Sequence, residues 1–323
     1  MKKVDLSNAD ILISRLIGRY FMKIGMIGIG DIAQKAYLPV ITKKKDIEII
    51  LCSRNETLLK ELTRSYRGLQ YVTSIKELID VQVDAVFVHA ATTAHYDICK
   101  ELLENGIHVY VDKPVSYHIE ETRQLFQLAK EKNKLLRVGF NRREAPLVKQ
   151  LKELEKPDIV IYQKNRVNQP SEIRTFILDD FIHVVDTLRY LLEDKVVSYH
   201  VKGIIKDNLL YSVTLQLIGQ QGIAIGIMNR ESGKTEERLE YICAGEKRII
   251  EDLNTLTIYK NGVETRQKFG DWEPVLNRRG FEQITDRFLK DISDGNAYLE
   301  QDEFSLETHE LCEEIILKLN SSS

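Results

Sequence analysis

Gly28-Ile29-Gly30-Asp31-Ile32-Ala33 follows an apolar run over residues 23–29, as a tight turn between a buried strand and a helix should. In this G-x-G-x-x-A variant of the dinucleotide fingerprint, Gly28 permits the turn and Gly30 lets the backbone approach a pyrophosphate. Asp31 and Ile32 open a helix whose free N–H groups and dipole favour the anion. Alone, such a turn is a weak signal, because glycine turns are common and an ordinary strand-to-helix connection is the alternative; the flanking strand, helix and second strand favour binding. At the end of the next strand, where NAD-binding domains carry an acid for the ribose 2′-hydroxyl, Ser53 and Arg54 stand instead. A hydroxyl and a planar guanidinium suit a 2′-phosphate, so NADP(H) is expected ahead of NAD(H); the plainer reading leaves Arg54 solvated.

Lys113 lies between Asp112 and Pro114 after the apolar run 107–111, at the strand edge where open α/β sheets bind ligands. A partly desolvated lysine beside a cationic nicotinamide ring has a lowered pKa and can exchange a proton with a carbonyl/alcohol pair. Out of context, a lysine ending a strand is more commonly surface. Asp179, His183 and Asp186 recur at helical spacing, which puts them on one face, able to hold a polyol while His183 exchanges its proton. The alternative makes Asp179 or Asp180 a helix cap and His183 a satisfied, half-buried histidine. No third ligand at suitable spacing supports a metal, and none is expected.

The surrounding pattern must position these groups. Strand-like runs at 23–29, 47–52, 71–72, 85–89, 107–111 and 135–140 alternate with helical stretches at 33–42, 56–64, 75–79, 95–105 and 119–132, predicting a doubly wound parallel Rossmann sheet. After about residue 141 the texture changes. Helices at 146–155 and 179–192 stand among hairpin-linked strand-like runs at 159–167 and from 196 to 268, with an Asn261-Gly262 turn, then closing helices at about 275–291 and 303–319. The chain is α/β, with a dinucleotide-binding domain over 22–140 and an α+β domain over 141–323 built on a mostly antiparallel sheet. Residues 1–21 carry charges inside their apolar stretch and no cleavage site. They read as a leader outside the native chain, Met22 being the native start, with a short amphipathic surface helix as the alternative.

The 323 residues exceed one ordinary core, and 43% hydrophobic with 29% charged residues describes a globular chain. A net charge of -3 from mixed basic and acidic residues leaves no electrostatic footprint for nucleic acid or a membrane surface. Four dispersed cysteines form no C-x-x-C pair, so reduced thiols in cytoplasm are expected.

Together and in order, these motifs resemble the Gfo/Idh/MocA oxidoreductases, the glucose-fructose oxidoreductase and inositol dehydrogenase family, and most closely their MviM-like branch. The resemblance runs from residue 22 to about 320 through G-x-G-x-x-A, His95, Gly106-Ile107-His108-Val109, Asp112-Lys113-Pro114, Gly139-Phe140-Asn141-Arg142-Arg143 and Asp179 to Asp186. It implies that His95 belongs to the cofactor site, that Lys113 serves as acid/base beside the nicotinamide, and that Asp179 and His183 complete a site for a sugar, polyol or similar small molecule. Arg142, Lys164 and Arg166 are implied to face that cleft, and two or four copies to pair through the second sheet. Two departures stand out: the family's Glu-Lys-Pro is Asp112-Lys113-Pro114, and its threonine-proline after strand four is Ala91-Thr92. A dinucleotide-dependent sensor of the same fold without turnover is the alternative function, and cofactor-assisted elimination or hydrolysis a weaker third.

Overall fold

Six short strands make the first layer: β1 Met22–Ile27, β2 Ile47–Cys52, β3 Leu69–Val72, β4 Ala85–Val88, β5 His108–Val111 and β6 Leu136–Val138. The computed structural model describes residues 21–321, so residues 1–20 of the expected 1–21 leader lie outside the described residues. All six strands pair in parallel in the order β3-β2-β1-β4-β5-β6. Covered by helices on both faces, β1, β4 and β5 are almost wholly apolar, as buried parallel strands must be. The order reverses between β1 and β4, which opens a crevice at their carboxyl ends.

Eight strands form the second sheet: β7 Ile159–Asn165, β8 Ser198–Lys206, β9 Leu209–Ile218, β10 Ile223–Asn229, β11 Glu236–Cys243, β12 Glu246–Glu251, β13 Thr255–Lys260 and β14 Val263–Lys268. Their order is β14-β13-β12-β11-β7-β10-β9-β8, antiparallel throughout except for β7 against β10. That parallel pair departs from a pure chain of hairpins because the helix Ile182–Leu192 and two strands intervene between its members, making a crossover. The turn from β13 to β14 follows the dipeptide chemistry: Asn261 and Gly262 have φ of 53° and 76°, the left-handed pair of a type I′ hairpin. Val160, Tyr162 and Lys164 alternate onto the buried face of β7, where the helix Ile182–Leu192 packs.

Four helical segments differ from the sequence expectation: 33–42 is a π-turn Ala33–Tyr37 and a turn of helix Leu38–Ile41, 146–155 is Pro146–Lys149 and a 3-10 turn Gln150–Glu153, and two others matter for the site. The stretch read as starting at 179 begins at Ile173–Phe176 and passes through a π-turn, Ile177–Phe181, before continuing as Ile182–Leu192. The 275–291 segment divides into Val275–Arg278 and Phe281–Ser293 because Gly280 between them is left-handed, φ 81°. Phe281–Ser293 then returns to the first sheet, where Phe288 meets Phe87 and Tyr110 edge-on at ring separations of 5.3 and 5.5 Å. The final helix, Glu300–Ser321, contributes Cys312, Ile315, Ile316 and Leu319 to the other core cluster. All four cysteines are buried and free. Among the described residues no helix is long and apolar enough to cross a membrane, and no group of His, Cys, Asp and Glu is arranged to hold a metal ion.

Candidate active site

A cavity of about 580 Å³ lies between the carboxyl edge of the parallel sheet and the facing ends of β7 and β10. At its nucleotide end, Gly28 has φ 82°, and a Cβ there would stand 2.2 Å from the Ala90 backbone nitrogen, so only glycine lets this turn lie against the end of β4. A Cβ on Gly30 would meet no heavy atom within 4 Å: the backbone here faces open space. The helical segment that follows carries no side-chain cap. Unclaimed N–H groups, an open approach at Gly30 and the half-exposed Ile32 on the cavity rim fit a dinucleotide pyrophosphate. Asp31 is exposed and pairs with Lys35 at 2.5 Å. Ser53 is half-buried just past β2, its Oγ accepting from the Asn55 N–H at 3.2 Å, while Arg54 beside it is exposed, with no ion pair among the described residues.

Lys113 leaves the end of β5 two residues beyond Val111, with a cis peptide to Pro114. Its ammonium donates to the backbone carbonyl of Asp179, which ties the end of β5 to the π-turn Ile177–Phe181 across the cavity. Burial, reinforced by Arg142 and Arg230 and opposed by Asp179 and Asp112, pushes the Lys113 ammonium down to about 8. The loop carrying it is pinned from two sides. His95, buried, directs Nδ1 at the Pro114 carbonyl and Nε2 at the Ala90 carbonyl, each at 3.0 Å, so it holds the crevice backbone in place. From the last helix, His309 donates Nδ1–H to the Ser305 carbonyl at 2.7 Å and accepts the Val115 N–H on Nε2 at 3.1 Å. Burial lowers its imidazole to about 4, which keeps that acceptor free. Beneath Lys113, Asp112 Oδ2 takes the His89 Nδ1–H at 2.7 Å. Burial alone would raise the Asp112 carboxyl, but His89, His95 and Lys113 together hold it below its usual value.

The π-turn splits two consecutive aspartates between different partners. Asp179 accepts the Tyr117 hydroxyl at 2.8 Å, whereas Asp180 turns towards the strand ends and meets Lys164, Arg166 at 3.0 Å and Arg230 at 3.4 Å. Since the helix begins six or seven residues earlier, neither aspartate is a cap. The antiparallel register sets Lys164 opposite Glu237, whose carboxylate takes a forked pair of bonds from Arg142 at 2.6 and 3.0 Å and the Tyr162 hydroxyl at 2.9 Å. Burial would raise the Glu237 carboxyl; Arg142, with Lys164 and Arg279, overrides that and holds it far below the carboxylate range. His183 lines the same cavity. Burial, then Arg142, Lys164, Lys113 and Arg166, push its imidazole well below the usual histidine value, and its buried Nδ1 has no partner.

Lys113, Arg142, Lys164, Arg166, Asp179 and His183 therefore converge on one cavity. Asp186 does not. It is buried on the far side, bonded to Arg143 at 2.7 Å and to Thr308 at 3.2 Å, because the last helix covers that face. Sequence reasoning overlooked Arg230, His89 and Tyr117. The first two do carry a signal, a cationic or imidazole side chain closing an otherwise apolar strand, as Lys113 does; Tyr117 carries none.

Two family models match the chain: one described as an oxidoreductase family with an NAD-binding Rossmann fold, over residues 22–140, and one as a YceM-like C-terminal domain, over 146–261. YceM of Salmonella typhimurium, whose assignment as an oxidoreductase is itself provisional, is 32% identical over 276 residues, covering 83% of this chain and 88% of its own. A Gfo/Idh/MocA family oxidoreductase from Vibrio cholerae superposes with a TM-score of 0.89 at 32% identity, over 93% of this chain and 99% of that one. The dehydrogenase MviM from Clostridium difficile gives 0.88 at 33% identity, over 92% and 99%. With a switch-point crevice, a lysine at its edge and relatives that span nearly the whole described chain, this protein belongs to the Gfo/Idh/MocA oxidoreductases.

Proposed function

We propose that the protein is a dehydrogenase or reductase that moves hydride between NADP(H) and an alcohol or carbonyl carbon of a sugar or polyol, with Lys113 and His183 handling the proton. The observation that carries this reading is the Lys113 ammonium, fixed on the Asp179 carbonyl between the nucleotide crevice and the second sheet and lowered to about 8. Bound in the crevice, the nicotinamide would supply the hydride acceptor or donor. Lys113 as free amine takes the proton of a substrate hydroxyl, and as ammonium returns one to a carbonyl oxygen. His183, neutral and with Nδ1 unclaimed, holds a neighbouring hydroxyl or passes the proton on. Asp179, steadied by Tyr117, orients the polyol. Similarity to a myo-inositol 2-dehydrogenase of Thermotoga maritima, 26% identical over 66% of this chain, supports the substrate class.

Incubating the protein with NADP+ and a panel of sugars and polyols should raise absorbance at 340 nm for at least one, with one ketone formed per nucleotide reduced. Nucleotide binding without turnover across the panel would favour a sensor.

Ser53 and Arg54, in place of an acid, support NADP(H) over NAD(H), as does the fold neighbour KijD10, a 3-ketoreductase whose complex holds NADP. Arg54→Ala should raise the Kd for NADPH about tenfold in a fluorescence titration, the worth of one charge-assisted contact, and leave NADH unchanged. NADH binding as tightly as NADPH to the unmutated protein would contradict this preference. Pairing of copies through the second sheet belongs to the same proposal, supported by the exposed Ile204 on β8 and Tyr259 on β13; buried free thiols support a cytoplasmic setting.

A further inference from the structure

Six cationic side chains line the cavity: Lys113, Arg142, Lys164, Arg166, Arg230 and Arg279. Against them stand Asp112, Asp179 and Asp180, with Glu237 behind Arg142, so the cations stay in excess even with the Lys164 ammonium pushed well down by burial. The carboxylates are also unevenly spent. Glu237 is taken up by Arg142, with Arg279 at 3.9 Å, and Asp112 by His89. Asp180 is the carboxylate in contact with Lys164, Arg166 and Arg230; even with burial pushing the Lys164 ammonium well below its usual value, two guanidinium charges share it, and Asp179 acts on Arg230 and Lys113 only from further off. Excess charge away from water is costly unless an opposite charge joins it.

Arg230 sharpens the point. Its side chain is 8% exposed, it lies over the Phe176 ring at 4.5 Å, and its Nη1 donates to Ser171 Oγ at 2.8 Å, so the guanidinium is held in one orientation. Its buried Nε nevertheless finds no acceptor, and the His183 Nδ1 in the same cavity has no partner either. Buried polar atoms without partners are exceptional in folded proteins. A neutral polyol would satisfy the hydrogen bonds but leave the charge standing.

We propose that the substrate is an anionic sugar or polyol, whose carboxylate or phosphate monoester seats against Arg230, Arg166 and Lys164 while its reacting carbinol faces Lys113. This inference rests on the dehydrogenase reading of the same cavity and adds the charge class of the substrate.

Glucose, glucuronate and glucose 6-phosphate differ only at C6, and inorganic phosphate serves as the bare anion. Binding of each to the NADPH-saturated protein is measured by calorimetry, and 340 nm turnover with NADP+ in parallel. At least one of the two charged sugars should bind about tenfold or more tighter than glucose, the gain falling as salt rises. Tighter glucuronate identifies a carboxylate substrate, tighter glucose 6-phosphate or inorganic phosphate a phosphate ester. Arg230→Gln should remove most of the gain while NADPH fluorescence is unchanged, and Arg166→Gln should do the same; anion-induced rises in Tm of the unmutated protein check the result without any variant. Glucose binding as tightly as both charged sugars, or no anion binding at all, overturns the charge inference. Arg230-dependent anion binding without nicotinamide turnover leaves it standing and sinks the dehydrogenase reading, whereas turnover of glucose alone does the reverse.

Discussion

Lys113→Met is expected to lower kcat by about 10²- to 10⁴-fold, the usual worth of a positioned acid/base group, with little change in NADPH binding. Methionine keeps most of the stem's volume and removes the ammonium, so the Asp179 carbonyl loses a donor but the loop stays pinned by His95 and His309. Stopped-flow absorbance at 340 nm with NADP+ and a saturating substrate checks it. A loss confined to KM would mean that Lys113 binds the substrate and leaves the proton to another group.

Glu237→Ala is expected to destabilise the protein by about 3–5 kcal/mol, because it leaves the Arg142 guanidinium buried without its counter-charge. The double replacement Arg142→Met/Glu237→Leu should recover most of that stability, and neither protein should be active. Urea unfolding followed by circular dichroism measures both. The acid dependence follows from the same pair. The native carboxyl of Glu237 is depressed below its unfolded value near ~4.3, so its contribution is fully present above that pH and is lost as pH falls further towards the depressed value. Glu237→Ala should therefore flatten the acid side of the stability curve, and an unaltered slope would show that Glu237 is not held ionised by Arg142.

Much of this was legible from the residues in order. The parallel sheet follows from apolar strands that end in Gly-x-Gly and in Asp112-Lys113-Pro114, and the β13–β14 turn from Asn261-Gly262, because local sequence decides those features. Lys113, Asp179 and His183 sit in one cavity as their motifs implied. What escaped depends on pairings distant along the chain. Arg230 reaches Asp180 only because β10 lies parallel beside β7, a crossover that hairpin spacing does not announce. The π-turn gives Asp179 and Asp180 different neighbours, which simple helical periodicity averages away. Periodicity also misplaced Asp186, since its helix is covered on that side by the Glu300–Ser321 helix. His309 was invisible for the same reason: 194 residues separate it from the Val115 N–H it accepts.

The proposed exchange of the substrate proton at Lys113 is tested most directly by the pH dependence of kcat/KM in both directions. With the ammonium lowered to about 8, oxidation needs the free amine and should rise to a plateau as pH passes through about 8, while reduction needs the ammonium and should fall over the same range. Both dependences should vanish in the residual activity of Lys113→Met. Profiles that run in the same direction, or that survive the loss of Lys113, would contradict the account.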